Sequence, residues 1–358
     1  MKRMNVVRGM ILITASMVCA DCIDSGVPPE PLIPPCDALI GRWQSLGLES
    51  ETVTAIALHP TDPRVIYAGT QINFSDGVQG KLFKSTNCGT TWDTLMVGGS
   101  YLAIALDPTN PEIVYAVPGS IRKSYDAGRT WQTIMNGIEP RLDTRVQSLA
   151  IDPHNPNVLY AGLGGFFGGP LYKSIDAGAN WQNISGADPY LGSGIISIAI
   201  DPNNSNTVLV GTAGPGVVLR SKNAGATWNL TGLGETNQLI NDIHIDTHDS
   251  RVVLAGFSFI GIMKSQDGGL SWRAFTDGLP DSANCMRFSL GIPLTTLFVI
   301  VTKDDKGGVY RRDGHDLSWR KIGIEEVRRS YYYSDLKFTS IGKALYFGTT
   351  GLYRMRLE

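Results

Sequence analysis

Two stretches of the sequence place aromatic side chains where a ligand is able to reach them. Phe166-Phe167 stands between two pairs of glycines, so the backbone around the rings offers little side-chain cover. Tyr331–Tyr333 comes one residue after Arg328-Arg329. Accessible aromatic rings near arginine are suited to stacking on sugar rings or to anchoring a protein partner. The alternative interpretation is that one Phe and one or two of the Tyr residues pack inside the fold.

Acid–base and metal chemistry have less support in the sequence. Glycoside hydrolysis usually needs two carboxylates about 5–10 Å apart across a cleft. The sequence singles out no such pair among the available residues, which are Asp76, Asp143, Glu235, Asp281 and Asp305. The histidines lie in separate turns and strands without the spacing of metal ligands; they are His59, His154, His244, His248 and His315. We therefore expect no catalytic residue, no metal site and no cofactor.

The elements that must position these residues come from an internal repeat. The seven tryptophans recur at intervals of 39 to 50 residues, at Trp43, Trp92, Trp131, Trp181, Trp228, Trp272 and Trp319. Six of them close a similar phrase, which is clearest in Ser124–Trp131, Ser174–Trp181 and Ser265–Trp272. Ser85–Trp92 and Ser221–Trp228 carry Asn where the others carry Asp, and the copy that ends at Trp319 has lost most of the phrase.

The phrase predicts a hairpin turn. An Asp or Asn side chain accepts hydrogen bonds from backbone N–H groups two residues on, and Gly tolerates positive φ. The Trp then fills the space between packed sheets, and its indole N–H needs one partner. The phrase S-x-D-x-G-x-T-W resembles the Asp box of the bacterial neuraminidase repeat, and this resemblance covers the chain from about residue 40 to its end. The repetition of the box indicates a structural turn and not a catalytic group.

Each box is preceded by two short apolar runs, as in Ala55–Leu58 with Val65–Gly69. Such runs, bounded by turn residues, predict strands. A third strand enters the box and a fourth begins at the Trp, and four strands per repeat are typical of a propeller blade. The last repeat lacks a Trp strand, whereas Arg42–Leu46 is a Trp strand without a blade before it. We therefore predict an all-β, single seven-bladed β-propeller over residues 41–358, in which the N-terminal strand completes the last blade.

This fold separates two faces. In propellers, the Asp-box turns and the turns after the first strands lie on one rim. The loops between blades and the loops between second and third strands build the opposite face, which we call the loop face. Irregular segments that map to it include Gln71–Asp76, Phe257–Phe259 and Lys303–Asp305. The predicted binding residues on this face are Phe74, Arg141, Arg145, Phe166, Phe167, Arg328, Arg329, Tyr331, Tyr332 and Tyr333.

The Asp-box families that this chain resembles include both enzymes and binding proteins, so the fold does not decide the function. Sialidases are six-bladed and carry a Phe/Tyr-Arg-Ile-Pro phrase, but Gly291–Pro293 lacks the Arg. Xyloglucan-cleaving glucanases carry a catalytic Asp directly after the Tyr-Ala-x-Thr phrase of the first blade. Here Tyr67–Thr70 is followed by Gln71, which is unable to donate a proton as an acid. Those enzymes also place their cleft between two propellers, and one propeller is predicted here.

Sortilin-type receptors and the photosystem II assembly factor are similar Asp-box propellers that bind proteins or peptides without catalysis. Sortilin has ten blades and a cysteine-rich extension, whereas the assembly factor resembles this chain in having seven blades and an export signal. The resemblance implies an exported, non-catalytic binding or scaffold propeller that recognises a protein or carbohydrate partner through its loop face. The alternative is a glycoside hydrolase of the xyloglucanase type.

The N-terminus predicts export. Lys2, Arg3 and Arg8 precede the apolar stretch Met10–Val18, which is too short to span a bilayer. We assign residues 1–20 to a signal peptide and residues 21–40 to a Pro-rich spacer. The location is then periplasmic, at the cell surface or extracellular, and lipid anchoring at Cys19 or Cys22 is an alternative to plain secretion.

Charge and cysteine content limit the expected partners further. The formal net charge of -2 gives no basis for a nucleic-acid partner, and we expect a monomer. Cys22 and Cys36 flank the proline run Val27–Pro35 of the spacer and are able to pair in an oxidising compartment. Cys88 and Cys285 lie in different repeats, and the sequence does not decide whether they meet.

Overall fold

The computed structural model describes residues 36, 40–73, 77–139, 145–165, 168–290, 296–303, 307–314, 316–323 and 334–357. All of these residues belong to one unit, Pro35–Glu358. The signal peptide and most of the spacer lie outside the described residues. Within them, no helix is both long and apolar enough to cross a membrane.

The described residues form seven four-stranded antiparallel sheets, each of which is one blade. Blade 1 consists of β2 (Val53–Leu58), β3 (Ile66–Thr70), β4 (Lys81–Ser85) and β5 (Asp93–Val97). Blade 2 consists of β6 (Ala103–Leu106), β7 (Val114–Val117), β8 (Arg122–Ser124) and β9 (Gln132–Thr133). Blades 3 and 4 consist of β10 (Arg145–Ile151), β11 (Leu159–Gly164), β12 (Leu171–Ser174), β13 (Gln182–Asn183), and of β14 (Ile195–Ile200), β15 (Val208–Thr212), β16 (Val218–Ser221), β17 (Asn229–Leu230). Blades 5 and 6 consist of β18 (Ile240–Ile245), β19 (Val253–Phe257), β20 (Gly261–Ser265), β21 (Arg273–Ala274), and of β22 (Asn284–Leu290), β23 (Leu297–Thr302), β24 (Gly308–Arg312), β25 (Arg320–Lys321). Blade 7 consists of β26 (Asp335–Thr339), β27 (Ala344–Thr349), β28 (Gly351–Arg356) and, from the N-terminus, β1 (Gln44–Ser45).

The ring closes as the repeat count predicted. The first strand of each blade lies against the first strand of the next, and that of blade 7 lies against that of blade 1. Strand β1 pairs with β28 through Gln44↔Arg354 and Ser45↔Tyr353. The indole Nε1 of Trp43 donates to the carbonyl of Ile322 at 3.0 Å. The prediction of a seven-bladed all-β propeller closed by the N-terminal strand is therefore confirmed.

Polar side chains on the first strands tie neighbouring blades together around the central channel. The Ser148 hydroxyl donates to the carbonyl of Ile195 at 3.0 Å, and Ser197 accepts the N–H of Ile243 at 2.9 Å. The same arrangement joins blade 7 to blade 1, since Asp335 accepts the N–H of Ile56 at 2.8 Å. Each of these bonds satisfies a backbone group that the sheet of its own blade leaves free.

The Asp box forms the predicted turn, but through different partners. Ser124 donates to Asp126 at 2.7 Å and accepts the N–H of Gly128 at 2.8 Å. Asp126 then accepts the N–H of Thr130, four residues on and not two, at 2.8 Å. Ala127 and Gly128 both have positive φ, 55° and 93°, so the tip of the turn is left-handed over two residues. The left-handed pair turns the Ala127 carbonyl outward, toward the preceding blade.

That carbonyl links consecutive blades. In blade 1, the Tyr67 hydroxyl and the Lys84 ammonium both donate to the Ala127 carbonyl in blade 2, at 3.1 and 3.0 Å. Blade 2 repeats the pair toward Ala177 in blade 3, and blade 3 repeats it toward Ala224 in blade 4, with Lys–carbonyl distances of 2.8 and 2.7 Å. We call this arrangement the Tyr–Lys clamp.

The tryptophans pack between blades as predicted, and each indole N–H finds a carbonyl acceptor. Trp92, Trp181 and Trp319 donate to the preceding blade, at Leu46, Ile134 and Phe275 respectively. Three others donate to the glycine carbonyl of their own box; they are Trp131, Trp228 and Trp272.

The cysteine pairing differs from the pair that the spacer suggested. Cys36 forms a disulfide with Cys88, so its partner is not Cys22. Cys22 lies outside the described residues. Cys88 occupies the left-handed position of the first Asp box, with a φ of 64°, and the bridge fastens the segment before β1 to the box rim of blade 1. Cys285 is a buried free thiol, and burial raises its pKa.

The boxes make stability depend on acid pH. Hydrogen bonds from Thr130, Asn180 and Ser271 lower the pKa values of Asp126, Asp176 and Asp267 to about 2. Since these folded-state pKa values lie below the unfolded ones, the stabilisation is present above roughly pH 4 and is lost as the pH falls toward 2. Asn87 and Asn223 make the same bonds without a charge.

We predict that a variant combining Asp126→Asn, Asp176→Asn and Asp267→Asn folds and loses less Tm between roughly pH 4 and 2 than the parent.

The matched control reverses the change, because Asn87→Asp with Asn223→Asp adds two low-pKa carboxylates and should steepen the same dependence. Asp249, whose pKa is about 2 through its bond to Arg251, contributes equally to all three proteins. Parallel Tm–pH curves would contradict the assignment.

Candidate functional site

The loop face contains a cavity of about 420 Å³ where blades 4, 5 and 6 meet. It lies between the loop that enters blade 5, the β19–β20 turn and the first residues of β22. Its neutral polar lining consists of Asn237, Gln238, Asn241, Ser258, Asn284 and Thr302. A concave site with convergent polar groups and some apolar surface is typical of ligand binding.

The β-bulges in the first strands of blades 5 and 6 direct side chains into the cavity. The register of β18 against β19 shifts between Ile240 and Asp242, which leaves Asn241 as the extra residue of a β-bulge. The same shift in β22, between Cys285 and Arg287, makes Met286 the extra residue of the next blade. A bulge re-aims a side chain out of the regular alternation of the strand. The two bulges therefore bring Asn241 and Met286 to the cavity wall.

Hydrogen bonds hold the amide groups of the wall in place. Asn241 is buried, and its Nδ2 donates to the carbonyl of Cys285 at 3.0 Å and to the hydroxyl of Ser258 at 3.2 Å. Asn284 accepts the N–H of Phe259 through Oδ1 at 3.0 Å. These bonds join blades 5 and 6 and fix the wall before any ligand arrives, which lowers the entropic cost of binding.

Phe259 stands at the rim of this cavity with an exposed ring. It is 58% exposed, although its backbone is fixed by Asn284. Its φ of 66° is left-handed, a conformation that costs a non-glycine residue of order 1 kcal/mol or more. An aromatic residue that is held in a strained backbone and remains exposed is a candidate contact for a ligand.

The cavity is poor in groups for acid–base catalysis. Lys303 is the one charged residue among the described residues that line it, and none of them is a carboxylate. Of the five acidic residues considered from the sequence, Asp76, Asp143 and Asp305 lie outside the described residues. Glu235 accepts a hydrogen bond from the Tyr190 hydroxyl at 2.8 Å. Neither Glu235 nor Asp281 lines the cavity.

The central channel offers carboxylates that are already engaged. Asp242 accepts the N–H of Phe288 at 2.9 Å, and Asp335 accepts the N–H of Ile56. Lys337 lies 3.7 Å from Asp335. These acidic side chains therefore serve blade-to-blade bonding. The described residues also contain no cluster of three His, Cys, Asp or Glu side chains that is suited to a metal ion.

Most of the binding residues predicted from the sequence fall outside the described part of the chain. This applies to Phe74, Arg141, Phe166, Phe167, Arg328, Arg329, Tyr331, Tyr332 and Tyr333, whose role remains a prediction. Arg145 is described and begins β10 with an exposed side chain. The N–H of its neighbour Val146 donates to the carbonyl of Gly119, which places Arg145 near the β7–β8 loop. Arg145 does not line the cavity of blades 4–6.

Sequence reasoning considered Phe259 within a loop-face segment but missed the amides. For Asn241 the signal was the weakening of the repeat in blade 5, where it takes the bulge position that Ile196 holds in blade 4. Asn241 and Asn284 are far apart in sequence, and the two β-bulges that place side chains at the cavity wall are set by strand pairing.

Comparison with known proteins supports the fold. No family model matches the sequence, and no curated protein matches it significantly. Among solved structures, the chain is similar to an ancestral GH74 enzyme (23% identity, TM-score 0.59, 72% of this chain and 36% of that one). It is also similar to the GH74 enzyme of Niastella koreensis (18% identity, TM-score 0.62, 79% and 49%). The chain thus spans about a third and about half of the length of these two enzymes.

A second kind of structure matches over almost its whole length. The structure of YCF48 bound to D1 peptide is 13% identical to this chain, with a TM-score of 0.63, and the match covers 91% of this chain and 98% of that one. At these identities, the similarities establish a shared propeller fold.

Thr302 provides a test of the cavity wall. Two other buried threonines, which end β3 and β15, each accept a backbone N–H, Thr70 from Lys81 at 2.9 Å and Thr212 from Val217 at 3.0 Å. Thr302 is buried, and its hydroxyl has no hydrogen-bond partner among the described residues. We predict that Thr302→Val changes the free energy of unfolding by less than about 0.5 kcal/mol, whereas Thr212→Val costs about 1–3 kcal/mol.

Urea denaturation of the two variants measures this difference. Equal losses would mean that the Thr302 hydroxyl is bonded within the folded protein and is not free for a ligand.

Proposed function

We propose that this chain is an exported, non-catalytic binding propeller that recognises a protein segment or a carbohydrate at the loop-face cavity of blades 4–6. The observation that carries the proposal is the composition of that cavity. Fixed neutral amides and hydroxyls stand beside the exposed Phe259, and no carboxylate lines the cavity among the described residues.

The amides define the chemistry of the ligand. A side-chain amide both donates and accepts hydrogen bonds, so the wall pairs with uncharged groups that do the same. Peptide main chains and sugar hydroxyls are such groups, and the Phe259 ring adds apolar contact area for either. A peptide ligand gains support from the YCF48 structure, which is bound to D1 peptide and matches this chain over 98% of its own length.

Export accords with the cysteine chemistry. The Cys36–Cys88 disulfide joins the C-terminal part of the spacer to the propeller, and disulfides persist in oxidising compartments. The signal peptide assigned to residues 1–20 is consistent with the same compartment. Release after cleavage and lipid anchoring at Cys19 or Cys22 are both compatible with the proposal.

The second candidate function is glycoside hydrolysis, which the similarity to two GH74 enzymes favours. Against it, the chain spans half of those enzymes or less, and the described loop-face carboxylates Glu235 and Asp281 do not line the cavity. Gln71 follows Thr70 at the end of β3, and a glutamine has no proton to donate as an acid.

Phe259→Ala tests the binding function. We predict that the full exported protein, screened on peptide and glycan arrays, retains at least one class of ligand, and that Phe259→Ala weakens its Kd about tenfold or more. The physical reason is that an aromatic side chain that anchors a ligand often contributes about 1–2 kcal/mol or more to binding. Because the ring is exposed, Tm should change little.

Tyr125→Ala is the matched control, since Tyr125 is 57% exposed but lies in the box of blade 2, on the opposite rim. It should leave the affinity unchanged. Equal affinities for the parent and Phe259→Ala would refute this site. Release of reducing sugar from a β-glucan panel would replace binding with the hydrolase function.

A further inference from the structure

A second cavity, of about 360 Å³, lies on the box rim between blades 5 and 6, on the side opposite the loop face. It occurs where the sixth Asp box is degenerate. The box serine is replaced by Arg312, which pairs with Leu297 at the strand position where Ser85 pairs with Ile66 in blade 1. The cavity thus lies at the position where the box of blade 6 departs from the repeat.

The same row of residues crosses every blade at this level. In blade 1 the row is Ala57, Tyr67 and Lys84, joined by strand pairing, and blades 2 and 3 repeat Ala, Tyr and Lys. In blade 5 the row is His244, Leu254 and Lys264. The lysine of the Tyr–Lys clamp is therefore retained in blade 5, whereas the tyrosine and the alanine are replaced.

Within the described residues, Lys264 does not repeat the clamp bond to the next blade. In blades 1–3 the lysine donates to an alanine carbonyl at the tip of the following box, at 2.7 to 3.0 Å. No described residue accepts a hydrogen bond from Lys264, whose ammonium instead lies 4.8 Å from the centre of the Phe275 ring. The clamp-acceptor position of the blade 6 box is His315, which lies outside the described residues.

Further unpaired groups line the same space. The Arg312 guanidinium stacks 4.0 Å from the Phe275 ring centre, and its buried Nη1 has no hydrogen-bond partner in the described structure. The buried Nε2 of His244 likewise has no partner there. Arg273 adds a third cation from β21. Burial, together with the mutual repulsion of these cations, lowers the pKa of Lys264.

The acidic residues around the cavity are engaged elsewhere. Asp313 binds Arg311 and Arg320, each at 2.9 Å. Asp246 accepts the N–H of His248 at 2.8 Å, and Asp316 accepts the N–H of Asp313 at 3.1 Å. The cationic groups therefore have no direct salt bridge with these carboxylates, and buried charge without a partner is costly.

We propose that this cavity binds a small oxyanion, a phosphate, sulfate or carboxylate group, between Lys264, Arg312 and Arg273. One oxygen of the anion accepts a hydrogen bond from the Lys264 ammonium, and Arg312 donates to a second oxygen. His244 supplies a further hydrogen bond from the channel side. Charge-assisted bonds of this kind are the strongest hydrogen bonds between protein groups and anions.

Calorimetric titration of the full-length exported protein with inorganic phosphate, sulfate or acetate tests the site, with sodium chloride at matched ionic strength as the reference. We expect saturable binding of at least one of the three with one site per chain, and the preferred anion identifies the group. Lys264→Met and Arg312→Met should each weaken binding about tenfold or more. The exposed Arg273→Met should weaken it less and leaves the fold intact even if the buried substitutions do not.

Lys173→Met is the matched control, because it removes the same lysine from blade 3, where the Ala224 carbonyl satisfies it. It should lower Tm and leave the anion affinity unchanged. Phe259→Ala should also leave the anion affinity unchanged, so this site is tested separately from the loop-face cavity. Absence of saturable binding by all three anions, or unchanged affinity in Lys264→Met and Arg273→Met, would overturn the proposal.

Discussion

The structure depends on the carbonyl group at the tip of the Asp box. The serine and the Asp or Asn of the box fix a turn with two left-handed residues, and this turn presents the Ala127, Ala177 or Ala224 carbonyl to the preceding blade. A tyrosine hydroxyl and a lysine ammonium of that blade donate to it. A local hydrogen-bonding pattern in eight residues thereby sets the packing of whole sheets.

The residues that build the ring therefore differ from those that are free to bind a ligand. Box side chains are bonded within the turn, the tryptophan N–H groups donate to carbonyls of the preceding blade or of their own box, and the channel carboxylates Asp242 and Asp335 accept backbone N–H groups. Departures from the repeat occur in blades 5 and 6. There the loop face has a cavity with an amide wall, and the box rim has a cavity with unpaired cations.

The sequence predicted the fold because the repeat is periodic and the Trp strand at its start complements the missing strand at its end. It predicted the box as a turn but misplaced the accepted N–H, since the two-residue offset of a simple Asx turn does not apply when the serine occupies that position. The Cys36–Cys88 bridge depends on where the chain enters the ring, which spacing along the sequence does not reveal. The cavity walls were missed for a similar reason, because the bulges at Asn241 and Met286 follow from strand register. Of the predicted binding residues, only Arg145 falls within the described part of the chain.

We propose that binding uses the loop face at blades 4–6, whereas the Asp boxes serve structure. Amide hydrogen exchange of the full chain, with and without a ligand captured on the arrays, tests it most directly. We expect the ligand to slow exchange at residues 236–241, 258–260 and 284–286 and to leave the box turns unchanged. Protection confined to the box turns, with no change at these three segments, would contradict it.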